Sequence, residues 1–192
     1  MRILGISGSP HREGNTAFAL RHALDAARAQ GAQTEYLSLS GLAIKPCLGC
    51  FSCSETGLCA QRDDMDDVVE AMLGADGIIL ASPVYFGLVS GQLKTMMDRT
   101  VRLRAQYGGE LPLSGKLGGA IACANSRNGG QETAIQNMVV YLMQMGMKAI
   151  SDGPGFCHSG GTVFGSARED QWGLETAANL ARNMCALGGV SP

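Results

Sequence analysis

The sequence has few aromatic residues and no concentration of positive charge. Phe, Tyr and Trp make up 5% of the 192 residues, with a single Trp, and charged residues make up 17%. The formal net charge is −2, and no run of Lys or Arg forms the basic stripe that binds a phosphate backbone. We therefore expect no nucleic-acid partner.

The chain also lacks a segment that would carry it into or across a membrane. Its first residues, MRILGISGSPHREG, contain only a short apolar stretch before glycine interrupts it, which is not the apolar region of a signal peptide. The longest uncharged run, Gly77 to Leu93, contains Pro83 and is slightly too short for a membrane-spanning helix. We expect a cytoplasmic protein without a membrane partner.

Seven cysteines stand out in a chain of this kind. The cytosol keeps thiols reduced and an odd number cannot pair fully, so a disulfide framework is not expected. Four of the seven lie between Cys47 and Cys59, and this density requires a chemical explanation.

Glycine is abundant, at 27 residues, but has no Gly-X-Y period, which excludes collagen and favours tight turns. Between the turns, apolar runs of strand length alternate with longer segments of helical periodicity. The predicted strands are Arg2–Ser7, Thr34–Leu39, Gly77–Ser82, Leu117–Ala124 and Met147–Ile150. The predicted helices are Thr16–Gln30 with Asn15 as N-cap, a helix that follows Asp63 and Asp64 and ends at about Leu73, Ser90–Arg104, Gln131–Met145 and Asp170–Leu187, while the cysteine segment reads as irregular.

This alternation predicts an α/β fold with a doubly wound, five-stranded parallel sheet of order 2-1-3-4-5 and helices on both faces. We expect one domain over residues 1–192, with a cysteine-rich loop at residues 46–62. In such a fold ligands bind above the carboxyl ends of the strands, where the first and third strands meet.

Three loops leave that edge of the predicted sheet. The first, Gly8 to Thr16, runs from a strand into a helix and offers hydroxyls, backbone N–H groups and a helix N-terminus to an anion. It is neither a dinucleotide fingerprint nor a Walker A loop, so a monophosphate fits it better than a triphosphate. The alternative, that its Gly, Ser and Asn serve only the geometry of the turn, stays open.

The other two loops suit a flat heterocycle. Ser82 to Gly87 combines a rigid Pro with two adjacent aromatic residues, although a core-packing turn is the alternative. Asn125 to Glu132 is polar, and its glycines would let the backbone approach a ring closely.

These segments, SGSPHREGNT, ASPVYFGLVSGQLKTMMDR and the later GGQE, resemble the NADPH-dependent FMN reductase family of flavodoxin-like proteins. Family members often carry Arg where this chain has His11. The resemblance implies that FMN binds through its phosphate to Ser7, Ser9, Arg12, Asn15 and Thr16. It implies that the isoalloxazine ring contacts Pro83, Val84, Tyr85, Phe86 and Gly87, together with Ser126, Arg127, Gly129 and Gly130.

The cysteines Cys47, Cys50, Cys53 and Cys59 have the spacing C-x2-C-x2-C-x5-C, which favours an iron-sulfur cluster over the two separate knuckles of structural zinc. The segment resembles the compact cysteine motif of iron-sulfur flavoproteins, a branch of the same family, and this implies a 4Fe-4S cluster. Free thiols and zinc stay open as alternatives. Cys123, Cys157 and Cys185 are interpreted as buried free thiols.

The resulting hypothesis is an FMN-dependent oxidoreductase in which the flavin, and no side chain, carries the chemistry. It would move electrons between FMN, a 4Fe-4S cluster and either NAD(P)H or an external carrier such as ferredoxin. One alternative is a cluster-free NAD(P)H-dependent reductase of FMN, quinones or another small-molecule acceptor, and another is a non-enzymatic flavin sensor. The resemblance further implies a homodimer or homotetramer, with the cysteine loop near the FMN of a neighbouring subunit.

Overall fold

A computed structural model describes residues 1–105 and 111–190, and this part of the chain forms one parallel sheet flanked by helices. The strands are β1 Arg2–Ser7, β2 Gln33–Ser38, β3 Gly77–Pro83, β4 Leu117–Ala124, β5 Lys148–Ala149 and β6 Gly161–Phe164. The helices are α1 Asn15–Ala29, α2 Ser52–Thr56, α3 Met65–Gly74, α4 Gly91–Arg99, α5 Val101–Ala105, α6 Gln131–Gln144 and α7 Gln171–Leu187.

The strands are arranged in the order β2-β1-β3-β4-β5, with every pair parallel. β6 pairs with the second half of β4, while β5 pairs with its first two residues. The predicted fold class and strand order are therefore confirmed.

The expected count of five strands is wrong, because β6 was not predicted. This strand has only four residues, Gly161 to Phe164, and it follows a turn-rich segment with several glycines. A run this short has too few residues to show a periodicity, and its pairing with β4 is a tertiary effect.

The core lies on both faces of the sheet, because the central strands are buried on both sides. Leu4 and Ile6 belong to the cluster that packs under α3, α4 and α6, whereas Ile3 belongs to the cluster under α1 and α7. Gly5 lets α1 approach β1 closely, since a Cβ there would lie 2.8 Å from Leu24 Cδ1. The two helical layers hold the carboxyl ends of β1, β3 and β4 in fixed positions.

The outer edge of β6 is covered by polar side chains of α7. The backbone N–H of Thr162 donates to Thr176 Oγ1 at 3.0 Å, and that of Phe164 donates to Asp170 Oδ2 at 2.9 Å. Asp170 also caps α7, because its Oδ1 accepts from the N–H of Gly173 at 2.9 Å. This capping leaves fewer free donors on the sheet edge, which reduces the risk of pairing with another strand.

Two helix predictions need correction. The predicted helix Ser90–Arg104 is split into α4 and α5 at Thr100, whose hydroxyl donates to the Met97 carbonyl at 2.6 Å and competes with helical bonding. The cysteine segment is not wholly irregular, because it contains the one-turn helix α2.

No helix within residues 1–105 and 111–190 has both the length and the apolar character needed to cross a lipid bilayer.

Candidate functional site

The three predicted loops meet at the carboxyl edge of the sheet, because they follow the neighbouring strands β1, β3 and β4. Two serines join the first loop to the second. Ser90 Oγ donates to the Gly8 carbonyl at 2.6 Å and accepts from the N–H of Leu93 at 3.1 Å. Ser82 Oγ accepts from the N–H of Ser90 at 2.9 Å. The start of α4 is thus fixed directly against the first loop.

An unsatisfied polar atom lies at the carboxyl end of β1, directly before the first loop. Ser7 is fully buried, and its Oγ has no hydrogen-bond partner among the described residues. Ser9 and Thr16 are also buried, and the first turn of α1 carries no acidic residue. Buried hydroxyls normally have a partner, so the loop fits a bound group that supplies one beside the positive end of a helix.

Asn15 and Arg12 are turned away from this hydroxyl cluster. The Asn15 side chain donates to the Gly165 carbonyl at 2.7 Å and accepts from the N–H of Ala167 at 3.0 Å. Its prediction as N-cap is wrong, because Gly14 holds that position and Asn15 ties α1 to the loop after β6. The Arg12 guanidinium lies against Gly41, and His11 is exposed. For Asn15, only the backbone N–H is left to face an anion.

The second loop presents its aromatic residues to solvent. Tyr85 and Leu88 exchange two backbone hydrogen bonds of 3.0 Å across Phe86 and Gly87, whose φ angles are +53° and +76°. Both central residues are left-handed, as in a tight hairpin turn. Phe86 is fully exposed and Tyr85 is 45% exposed, so the alternative of a core-packing turn is wrong. Pro83, at the end of β3, and Val84 are half-buried at the base of this turn.

The third loop touches the second through its glycines. Gly130 has a φ of +96°, and a Cβ there would lie only 2.8 Å from Gly87 Cα. Gln131 Nε2 donates to the Ser126 carbonyl at 3.1 Å and fixes the loop, while Ser126 itself is exposed. The Arg127 guanidinium stacks 4.7 Å from the centre of the Phe164 ring. The backbones around Gly87, Gly129 and Gly130 therefore form one surface.

The four motif cysteines line a single cavity of about 540 Å³ next to α4 and α5. Cys47 and Cys50 are exposed, and Cys53 and Cys59 are half-buried. Among the described residues, no three Cys, His, Asp or Glu side chains are arranged to hold a metal ion. The fold thus gathers the four thiols on one cavity without closing them around a common centre.

A buried ion pair lies beneath this cavity, and sequence reasoning missed it. Arg99 is 1% exposed and donates to Asp63 Oδ2 at 2.7 Å and Oδ1 at 3.0 Å. Its hydrogen bond, with backbone bonds from Lys45 and Met65, lowers the pKa of Asp63 to about 2. In the sequence, Asp63 and Asp64 indicated only the start of a helix. The one signal in the sequence for a buried ion pair was Arg99, which lies close to the apolar residues Met96 and Met97.

The three cysteines outside the motif differ in their exposure to solvent. Burial raises the pKa of the Cys123 thiol to about 12, and Cys185 is buried as well. Cys157 is exposed, so its prediction as a buried thiol is wrong.

A larger cavity, of about 800 Å³, lies beyond the third loop between α6, β6 and α7. Its lining includes Arg127, His158 and Trp172. His158 Nδ1 lies 3.0 Å from Oδ2 of the fully buried Asp152, which orients the imidazole. The histidines have no ligand spacing in the sequence, so only the fold reveals this arrangement.

The strand order and the loops at its switch point define a flavodoxin-like fold. The fold resembles that of the NAD(P)H:quinone oxidoreductase from Methanothermobacter marburgensis, with a TM-score of 0.72, 16% identity and 96% of each chain covered.

The sequence profile described as NADPH-dependent FMN reductase matches residues 1–159. An iron-sulfur flavoprotein of Methanocaldococcus jannaschii is 46% identical over 97% of this chain and 97% of its own length. An iron-sulfur flavoprotein of Methanosarcina thermophila is 38% identical over 96% of this chain and 94% of its own. The chain belongs to the NADPH-dependent FMN reductase family and is a flavin-dependent oxidoreductase, as the sequence motifs predicted.

The Asp63–Arg99 pair should make stability depend on acid pH. Because the folded pKa of Asp63 lies below the unfolded value, its contribution is present above about pH 4 and is lost as the pH falls towards 2. The shift corresponds to about 2 kcal/mol of unfolding free energy. We expect Asp63→Asn to lower stability by about 3 kcal/mol at pH 7, measured by urea unfolding at matched FMN content.

The matched control is Asp67→Asn, which removes an exposed carboxylate from the first turn of the same helix. The difference in unfolding free energy between wild type and Asp63→Asn should become smaller as the pH falls from 5 to 2.5. The difference between wild type and Asp67→Asn should stay small throughout. A gap that is constant over this range would show that the pair does not set the titration of Asp63.

Proposed function

We propose that FMN binds across the three loops, with its phosphate at the first loop and its ring between the second and third. The observation that carries the proposal is the Ser7 hydroxyl, which is fully buried and lacks a partner among the residues described. Ser9, Thr16 and the N–H groups that open α1 supply further donors, whereas the Arg12 guanidinium, which lies against Gly41, would have to turn to reach the phosphate. The family's cofactor supports this assignment.

The chain's own residues would bind and orient this cofactor. The bonds of Ser82 and Ser90 fix the spacing between the phosphate and ring loops. Glycine at 130 lets the third loop lie against Gly87 of the second, so the ring would rest on their joined backbones, beside the exposed Tyr85 and Phe86. When bound, FMN supplies the ability to accept a hydride or an electron pair and to release electrons singly.

Replacing Ser7 by Ala should weaken FMN binding without weakening riboflavin binding, because only FMN has a phosphate to bond the hydroxyl. Loss of the hydrogen bond between the Ser7 hydroxyl and the charged phosphate should raise the Kd of FMN about tenfold. Titration calorimetry measures this Kd. Stability of the apoprotein should be unchanged, because Ser7 Oγ has no partner to lose within residues 1–105 and 111–190.

Ser40→Ala is the matched control for this change. Ser40 Oγ donates to the Pro10 carbonyl at 2.7 Å, so its loss should lower stability and leave the ratio of the two flavin affinities unchanged. Equal weakening of FMN and riboflavin by Ser7→Ala would move the phosphate away from the first loop.

We also propose that Cys47, Cys50, Cys53 and Cys59 ligate a 4Fe-4S cluster. Four thiols line one cavity, and the relatives described above are called iron-sulfur flavoproteins. Bringing the sulfurs together requires a rearrangement of this largely exposed segment, in which Gly49 is left-handed. A cluster would supply one-electron exchange with a ferredoxin-like carrier.

Protein prepared without oxygen should contain about four iron and four sulfide per chain. Cys53→Ala should lose the iron and keep FMN, because the flavin loops lie outside the cysteine segment. Cys157→Ala, which removes an exposed cysteine outside the motif, should keep both. Iron analysis and the flavin absorbance measure these outcomes, and anaerobic wild type with full FMN but no iron or sulfide would contradict the cluster.

We further propose a single FMN-binding domain in a cytoplasmic homodimer or homotetramer, with NAD(P)H as a possible electron donor. One observation supports a small-molecule acceptor as a second candidate. The cavity of about 800 Å³ shares Arg127 with the third loop and has an aromatic wall at Trp172, which suits a flat quinone.

Trp172→Ala should raise the KM for a quinone about tenfold at unchanged affinity for FMN, because it removes a stacking surface. Steady-state NAD(P)H oxidation measures the change. Val140→Ala, which truncates an exposed apolar residue on α6 away from this cavity, is the control. An unchanged KM in Trp172→Ala would place the acceptor elsewhere.

A further inference from the structure

Among the residues that the structure describes, the largest fully buried side chain is that of an arginine. Arg99 ends α4, directly behind the cysteine cavity, and its charged group is shielded from water. Burying a charge is costly unless the group is paired and hydrogen-bonded. The groups that pair with Arg99 and accept its hydrogen bonds should therefore indicate what the residue does.

Its oxygen partners belong to the chain on either side of the four motif cysteines. Arg99 Nη1 donates to the Lys45 carbonyl at 2.7 Å, before the first cysteine, and to Asp63 Oδ2 at 2.7 Å, after the last. Nη2 donates to Asp63 Oδ1 at 3.0 Å and lies 3.4 Å from the Gln61 carbonyl. The guanidinium thus clamps both ends of the segment that contains the four thiols.

The same Nη2 also reaches a motif sulfur. It lies 3.4 Å from Cys59 Sγ, within the range of a hydrogen bond to sulfur. Arg102, in α5, lines the same cavity but pairs with Asp66. Two arginines therefore border the cavity, and the contact with a motif sulfur is made by Arg99.

We propose that Arg99 is a positioning residue for the sulfur site: it holds Cys59 at the floor of the cavity and places a hydrogen bond and positive charge on its sulfur. This inference rests on the proposed cluster. Hydrogen bonds to the sulfurs and the net charge around a cluster set its reduction potential. Because reduction adds negative charge, a buried donor at Cys59 stabilises the reduced form and raises the potential.

The test compares Arg99→Lys with Arg102→Lys, both of which keep the charge and remove the guanidinium fork. Lysine at 99 cannot bond Asp63, Lys45 and the sulfur in the same planar arrangement. We expect the cluster of Arg99→Lys to be harder to reduce, by about tenfold in the redox equilibrium or about 59 mV for one electron. Anaerobic redox titration followed by electron paramagnetic resonance measures the shift.

A second readout needs no iron. In iron-free protein, amide hydrogen exchange over residues 45–63 should be faster in Arg99→Lys than in wild type, while Arg102→Lys leaves it near the wild-type rate. Both variants should keep full FMN, since neither residue belongs to the flavin loops.

A lower potential together with faster exchange, both confined to Arg99→Lys, supports the proposal. Faster exchange with an unchanged potential would overturn it, because Arg99 would then only anchor the segment. Equal effects of the two variants would overturn it as well. Wild type without iron or sulfide would contradict the cluster itself and, with it, the claim about the potential, so iron analysis of wild type separates the two failures.

Discussion

The parallel pairing of β1 with β3 is the constraint on which the rest of the structure depends. β2 lies on one side of this pair and β4 on the other. Because β1, β3 and β4 are neighbouring parallel strands, the loops that follow them leave the same edge of the sheet. Ser90 then bonds the first of these loops to the start of α4. The surface on which we propose that FMN binds therefore results from strand order and two serine hydroxyls.

Helix α4 connects the two candidate redox sites. Its N-cap, Ser90, touches the first loop, and its last residue, Arg99, touches Cys59. Nine residues of α-helix span about 13 Å, so one rigid element sets the distance between the flavin loops and the cysteine cavity.

The sequence predicted the features that depend on local pattern. Strands β1 and β4 have the predicted bounds, and the three loops lie together as the strand order required. What it could not predict depends on distant partners: β6 exists through its pairing with β4, Asn15 bonds residues 150 positions away, and Arg99 meets Asp63 across 36 positions. No periodicity or motif predicts such contacts, because an Asn, Arg or Asp at these positions is equally compatible with a helix cap or an exposed side chain.

The central claim is that one FMN occupies the three loops at the edge formed by β1, β3 and β4. Hydrogen-exchange mass spectrometry of the apoprotein and the FMN complex tests it most directly, because each backbone N–H reports its own protection. We expect slower exchange in residues 7–18, 82–93 and 124–131, with little change on the outer faces of α3 and α5. Protection that misses the first loop, or that centres on the cavity between α6 and α7, would contradict it.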